Sequence, residues 1–318
     1  MPNFHFGYLL PTRGVVVSAK GEPPDTTPII TLAKKAENLD FDSVWIGDSV
    51  LAKPRMESFT TWSAVLASTK KVQVGTAVLL AALRDPIMLT QSLTTLDCMF
   101  PGRVLPGLGV GREDLKEEFE TLGVKISERA KRFTETIEIL KLLMSERNCS
   151  FSGKHFSFED IDLEPRPFSK GGPPLWIASN YVQSGLRRVA RLADGWITNS
   201  ITPELYRKCW DTILAYGEDC GRKSLEKIPQ CLYVTMNINP NGEKAKKEAG
   251  DFLSKYYHKS FEDIQKQLLV IVGDGDQVEE KIRSYSDIGA STFIIRFAGG
   301  SQVEQMENLV SELMPRFR

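Results

Sequence analysis

Three carboxylates stand where a proton could be moved. Asp48 closes the apolar run VWIGD, and Glu113 and Asp114 follow the glycine-rich stretch GLGVGR. A carboxylate at the rim of a site can take or give a proton within hydrogen-bond reach, and the same residues serve equally as capping or surface acids. A second group is polar and uncharged: Ser179, Asn180, Gln183 and Ser184 precede and open the apolar-periodic segment 182–193. Hydroxyls, amides and unpaired N–H groups would gather there at the positive end of a helix, which suits a phosphate and equally suits ordinary N-capping. A third feature is Gly107, Gly109 and Gly111. Without side chains they let a flat aromatic ring lie against the backbone, or let a strand pack tightly on a helix. Their spacing is neither the GxGxxG fingerprint with its following acid nor a GK[ST] phosphate loop.

Other chemistries lack their residues. His5, His155 and His258 lie far apart without HxxxH spacing, no serine sits in a GxSxG elbow, and no lysine occupies an expected strand end. Metal hydrolysis and serine-nucleophile chemistry therefore have no local support, and no metal is expected. Cys98, Cys149, Cys209, Cys220 and Cys231 are scattered and never form a CxxC pair, so they read as structural thiols rather than disulfide or zinc partners.

Bringing these residues together requires a scaffold, and the chain repeats one. Apolar runs rich in β-branched and aromatic residues recur at 4–10, 43–48, 72–80, 103–110, 174–179, 195–199, 231–238 and 292–298. Several, such as VQVGTAVLL and STFIIRF, are nearly continuous in apolar residues rather than alternating, as covered parallel strands must be. Helix-period segments lie between them. In the first, Thr27 reads as an N-cap, Pro28 as the first helical residue, and Ile29, Leu32, Ala33, Ala36 and Leu39 as one apolar face. Others are 58–69, 86–97, 127–144, 182–193, 203–219, 277–288 and 302–314, with Gly289 as a stop.

Eight strands and about eight helices predict a single α/β domain over residues 1–318, a (β/α)8 TIM barrel with insertions at its C-terminal face. A doubly wound open sheet is the alternative. Two stretches exceed a minimal barrel: a hairpin-like excursion at 145–173, and an insertion at 240–275 with the turn NPNG, a charged helix 243–257 and a second short helix. The latter is expected at the catalytic face, as a lid. Functional residues of a barrel collect at the strand carboxyl ends, here Pro11 and Arg13, Asp48 and Ser49, Thr76 to Val78, Gly107 to Glu113, Ser179 and Asn180, Asn199, Asn237 and Asn239, and Arg296.

A formal net charge of −1 leaves no basic excess to grip a phosphate backbone, so nucleic acid is not an expected partner. Nowhere do about 18 apolar residues run in succession, and MPNFHFGYLLP has no Lys or Arg ahead of its apolar run and no small-residue cleavage pattern. A cytoplasmic protein without a membrane partner is expected.

Taken in order, FDSVWIGDS (41–49), VQVGTAVLLAALRDPIMLTQSLTTLD (72–97), FPGRVLPGLGVGREDLKEEFETLGV (100–124), ERAKRFTETIEILKLLM (128–144) and PPLWIASN with RRVARLADGWITNS (173–200) resemble the bacterial luciferase-like monooxygenase superfamily. Its members are flavin- or deazaflavin-dependent oxidoreductases on this barrel, and the resemblance spans nearly the whole chain. It implies a non-proline cis peptide at Ala77–Val78, in a bulge of the third strand beside the Thr76 hydroxyl, which backs the ring and makes Thr76, Ala77 and Val78 cofactor-binding residues. It implies a ring lined by Gly109, Val110 and Gly111, a phosphate held by Ser179, Asn180, Gln183 and Ser184, and catalytic acids Asp48 and Glu113 flanking the reactive face. Arg13, Ser49 and Arg296 would lie on the substrate side, the two arginines drawing an anionic substrate or a deazaflavin tail unless they are surface or structural pairs.

The implied cofactor is reduced FMN, used with O2 on a small-molecule substrate by a two-component monooxygenase that a separate flavin reductase supplies. One alternative keeps the site but uses an 8-hydroxy-5-deazaflavin coenzyme for hydride transfer without oxygen; another is a non-catalytic flavin-binding barrel. A homodimer is expected, with apolar helices such as 58–69 and 86–97 packing against a second copy. Two departures stand out. The family often places a histidine directly after the strand-two acid, where this chain has Ser49, and Pro106 falls inside the fourth strand, where the family usually has an aliphatic residue.

Overall fold

In the computed structural model, which describes residues 4–199 and 202–318, the apolar runs form parallel strands that close on themselves. Met1 to Asn3 of the N-terminal run and Ser200, the last residue of the stretch carrying the resemblance, lie outside the described residues. The strands are β1 (His5–Leu9), β2 (Ser43–Ile46), β3 (Gln73–Thr76), β4 (Leu79–Leu80), β5 (Val104–Leu105) and β6 (Gly107–Gly109). A separate antiparallel hairpin follows, β7 (Cys149–Ser152) with β8 (Ser157–Ile161). Then come β9 (Trp176–Ala178), β10 (Gly195–Thr198), β11 (Gln230–Ile238), β12 (Val270–Gly273) and β13 (Thr292–Phe297).

All pairings outside the hairpin are parallel. They run β1 to β2, β2 to β3, β3 to β5, β4 to β6, β6 to β9, β9 to β10, β10 to β11, β11 to β13 and β13 back to β1. Because β3 with β4 and β5 with β6 are halves of single strands, the ring has eight members, with helices between them in sequence.

Side chains fill the ring. Trp45, Leu105, Trp176, Ile197, Cys231 and Ile294 form its inner layer, while alternate residues such as Phe293 and Ile295 turn outward to the larger core beneath the helices. The indole of Trp45 takes up the room that a Cβ would need at Gly7 on one neighbouring strand and at Gly75 on the other. Large residues on one strand are thus matched by glycines beside them, as close packing demands.

The third and fourth strands break at the same level. Gly75 pairs with Leu105 and Leu79 with Leu108, so four steps on one strand oppose three on the other, which is a bulge of one residue. The extra residue falls at the cis peptide Ala77–Val78. Across the gap the Thr76 hydroxyl donates to Gly107 O at 2.8 Å and accepts from Gly107 N at 3.0 Å, replacing the lapsed ladder. Pro106 sits where the ladder is already interrupted, so its missing N–H costs no bond.

Three local expectations change. Thr27 is the first helical residue rather than the cap; its N–H donates to the Asp25 carboxylate at 2.9 Å, so Asp25 serves the helix start. The insertion carries, besides helices Gly242–Tyr257 and Phe261–Gln265, the unforeseen strand β12, which pairs parallel with Thr235–Ile238 at the carboxyl end of β11. The next helix begins at Gly275, not 277, because Asp274 and Gln277 form a reciprocal capping box. Among the described residues no helix is long and apolar enough to cross a membrane.

Candidate active site at the strand carboxyl ends

One layer above Trp45 and Trp176, the inward side chains become smaller and partly exposed. Leu9, Ala77, Val78, Ala178 and Tyr233 pack on the inner layer from above and form the floor of a mouth. The two sides of that mouth differ in chemistry. Strands three to five present Ala77, Val78 and Ala178, whereas strands seven, eight and one present Tyr233, Arg296 and Arg13.

On the apolar side the bulge sets the surface. Val78 packs into the space a Cβ would take at Gly109, Phe119 does the same at Gly111, and the Thr76 carbonyl and Ile197 crowd Gly107. The glycines therefore serve tight internal packing, and the side chains that face the mouth here are Ala77 and Val78; Val110, expected to line the ring, instead packs against the outer core beneath the helices, because alternation along the strand turns it outward with Leu108. Thr76 is buried, its hydroxyl committed to Gly107.

The helix Gln183–Leu192 starts just beyond β9. Its first turn has no acidic residue and no side-chain cap, and Gln183 and Ser184 are exposed. The polar residues around it are thus not spent on N-capping. Asn180 Oδ1 accepts from Thr198 Oγ1 at 3.0 Å and from Asn199 N at 3.2 Å, tying strand five to strand six. Gln183 Oε1 accepts from the Tyr216 hydroxyl, and Ser179 Oγ lies over Gly185, where a Cβ would collide with it. The positive helix end and Ser184 remain for an anion, with the Ser179 hydroxyl, which donates to Asn180 O at 3.5 Å, beside them.

The strand-two acid is fully engaged. Asp48 accepts from Leu80 N at 2.9 Å, from both Nη atoms of Arg84 at 2.8 and 3.2 Å and from Ser58 Oγ at 3.1 Å, with its side chain 5% exposed. Its lone pairs fix the tips of strands two and three to each other, which leaves it poorly placed to exchange a proton. Glu113 stands at the other extreme: its side chain is 86% exposed and pairs with Arg129 at 3.2 Å. Ser49 is buried and donates to Glu118, whose carboxylate also gathers the N–H groups of Val50, Leu51 and Ala52. Glu118 is itself wholly buried and holds the loop after strand two in place.

On the cationic side, Arg296 lies one inward step above Ile294. It donates to the Tyr257 hydroxyl at 2.6 Å and to Thr235 Oγ1 at 2.8 Å, and the Arg13 guanidinium stacks 4.2 Å from the Tyr256 ring centre. Tyr256 and Tyr257 end the insertion helix, so the insertion reaches the mouth. Burial raises the Tyr233 phenol above its ordinary value, Arg296 offsetting this only in part, so Tyr233 stays neutral near pH 7. Burial lowers Lys53, on the strand-two loop.

Sequence reasoning brought Arg13, Arg296 and the tips of strands three to five together, and missed Arg84, Glu118, Tyr233, Tyr256, Tyr257, Lys53 and Arg55. For the tyrosines a signal existed, the pair YYH at the end of an amphipathic segment. Glu118 had none, since EEF reads as any helix surface. Among the described residues no group of three or more His, Cys, Asp or Glu could hold a metal ion.

Comparison with known proteins bears on this site. The family model for luciferase-like monooxygenases matches residues 4–292. The chain is 24% identical to a protein named F420-dependent glucose-6-phosphate dehydrogenase from Amycolatopsis mediterranei (strain U-32), over 91% of this chain and 94% of that protein. In fold it is similar to monooxygenase RslO1 from Streptomyces bottropensis, with a TM-score of 0.85 at 20% identity over 99% of this chain and all of that one. It is also similar to an F420-dependent secondary alcohol dehydrogenase solved with an F420–acetone adduct, with a TM-score of 0.80 at 18% identity over 99% of both chains.

Proposed function

The chain belongs to the luciferase-like monooxygenase family, and from that premise we propose that it is an oxidoreductase that binds an 8-hydroxy-5-deazaflavin coenzyme of the F420 type and exchanges a hydride with a small organic substrate. The observation that carries this reading is the two-sided mouth, an apolar wall of Ala77, Val78 and Ala178 beside an uncapped helix start at Gln183. Small side chains suit a flat ring, and the helix end with Ser179 and Ser184 suits its phosphate. The relatives named as F420-dependent favour the deazaflavin over reduced FMN, which reverses the order suggested by sequence alone.

When bound, the coenzyme supplies a ring carbon that takes or gives the hydride. The chain's own residues do the rest. Ala77, Val78 and Ala178 orient one ring face and keep water from it, and Asn180 and Gln183 hold the turn before the phosphate. Asp48 acts as a positioning group for strand three, while Glu113, exposed and paired with Arg129, is the acid left to move a proton. The insertion, with Tyr256 and Tyr257, closes the side opposite the ring. Arg13 and Arg296 face the substrate, and Ser49 secures the loop beside them. A homodimer in the cytoplasm belongs to the same reading; Met88 and Met99 stand exposed on the helix Pro86–Met99.

The same slot suits reduced FMN supplied by a separate reductase, and Ser49 in place of a histidine gives weight to the non-catalytic barrel. Parallel titrations with oxidised deazaflavin and reduced FMN separate the two. Tighter deazaflavin binding, with substrate-dependent loss of its visible absorbance under anaerobic conditions, is expected. Tight binding of reduced FMN alone, with substrate-stimulated oxygen uptake, overturns the reading; turnover with neither coenzyme across a panel of alcohols and sugar phosphates points to the non-catalytic barrel.

A further inference from the structure

Four cations meet on one side of the mouth, and among the described residues none of them has a direct ion pair. The Arg13 and Arg296 guanidinium groups lie 4.2 and 5.5 Å from the centre of the same Tyr256 ring. Each Nη atom of Arg296 donates one hydrogen bond to a neutral partner, Tyr257 or Thr235. The Nε of each arginine is buried and has no hydrogen-bond partner. Arg55 lies against Gly47 at the tip of strand two and donates from Nε to the Lys53 carbonyl at 3.2 Å. Lys53 is close enough to Arg13 and Tyr257, and Arg55 to Tyr233, for their charges to act on one another. Asp114 also acts on Lys53, but its carboxylate is paired with Arg112 at 2.9 Å.

Among the described residues, no carboxylate oxygen lies within 4.0 Å of Arg13, Lys53, Arg55 or Arg296, although the other partly buried arginines near the mouth, Arg84 and Arg129, each have one. Gathering like charges in a partly desolvated place is costly, and so is an unpaired N–H on a buried guanidinium. A phenol with a raised pKa cannot supply the missing charge near neutral pH. An oxyanion can, since it accepts from several N–H donors at once and neutralises the cluster.

We propose that this cluster seats an oxyanion substituent of the substrate, a carboxylate or a phosphate, received by the guanidinium groups of Arg13 and Arg296 with Lys53 and Arg55 around them. The anion would hold the substrate against the cationic wall while its reacting carbon faces the apolar wall of Ala77, Val78 and Ala178. This assignment rests on the coenzyme slot proposed above and narrows its substrate to organic anions.

The test is calorimetric titration of the full chain with inorganic phosphate and, separately, acetate, at ionic strength held constant with sodium chloride. Saturable one-to-one binding of at least one probe is expected, and the stronger of the two identifies the substituent. Arg13→Gln and Arg296→Gln should each weaken it about tenfold or more, the loss of a charge-assisted hydrogen bond. Thermal melts confirm that both variants fold; Arg13 sits in a loop, so its variant keeps the test alive if the other unfolds. Deazaflavin is titrated in the same preparations. Variants that lose the probe but keep the coenzyme support the inference. Wild-type protein that binds the coenzyme but neither probe into the tens-of-millimolar range, roughly where a ligand of few atoms should register, overturns it, as do variants that bind the probe like wild type. Wild-type protein that binds a probe but no deazaflavin overturns the functional reading instead, and leaves an anion site of another purpose.

Discussion

The Ser49 hydroxyl donates to Oε2 of Glu118 at 2.9 Å, and that carboxylate is wholly buried with no lysine, arginine or histidine nitrogen within 4.0 Å among the described residues. Its charge is met by hydroxyl and backbone donors alone, from Ser49 to Ala52. Ser49 also accepts from Lys53 N at 2.9 Å, so one serine links the buried acid to the loop that carries the cationic wall. Where relatives often have a histidine, this chain has a structural link.

Removing the link should loosen the loop without touching the slot. Ser49→Ala is expected to cost about 1 kcal/mol of stability, the typical worth of one buried hydrogen bond, and Glu118→Gln about 2–3 kcal/mol, because an amide presents an N–H₂ to donors that need an acceptor. Urea unfolding measures both. Deazaflavin affinity should stay unchanged in Ser49→Ala.

Asp48→Asn tests whether that acid positions or reacts. The substitution leaves the Arg84 guanidinium, 20% exposed, with only its longer pair to Glu57 at 3.6 Å. A loss of about 2–4 kcal/mol is expected, near the range for breaking a buried pair, and replacing Arg84 by Met in the same chain should recover part of it. The pH dependence of turnover in the surviving enzyme should match wild type; a vanished ionisation would assign Asp48 to proton transfer.

The fold's acid sensitivity has a local source in Glu37. Its Oε2 accepts from the N–H groups of Lys70, Lys71 and Val72 at 2.6–3.0 Å, just ahead of β3. Burial opposes the charge, but these donors more than offset it and hold the carboxyl below its ordinary value of 4.5. A carboxylate with a lowered folded pKa stabilises above the unfolded value and loses that contribution as pH falls through the folded one. Glu37→Gln should therefore cost about 1–2 kcal/mol between pH 5.5 and 7.5, and the gap to wild type should narrow as pH falls below 4.5. Denaturant unfolding across that range checks it.

How much of this was legible beforehand follows from what each feature depends on. Strands with continuous apolar runs were legible because burial on both faces leaves no alternation to confuse, and the barrel followed from their count. The bulge position came from the family resemblance, not from periodicity, since VQVGTAVLL reads as one unbroken strand. LVIVG at 269–273 carried a plain β-branched signal for β12, masked by the expectation of a second helix in the insertion. The glycines of GLGVGR were legible as close contacts, but what they contact, Val78 and Phe119, depends on where other elements return. The long-range partners of Asp48 and Glu118 are 32 to 69 residues away, and no spacing rule reaches that far. The cationic wall is of the same kind: Arg13, Lys53, Arg55 and Arg296 are unremarkable in sequence and acquire meaning only when the ring brings strands one, two and eight together.

The central claim is that the tips of strands three, four and five form the coenzyme slot, and Ala178 tests it most directly. It faces inward beside Ala77 and Val78 at the level of the mouth. Deazaflavin binding, followed by fluorescence on wild type and on Ala178→Trp with a matching far-ultraviolet circular dichroism spectrum, should show saturation for the first and at least about a hundredfold weaker binding for the second, as steric exclusion from a pocket of about 3 kcal/mol or more requires. Equal affinity in the two proteins would place the coenzyme elsewhere and contradict the account.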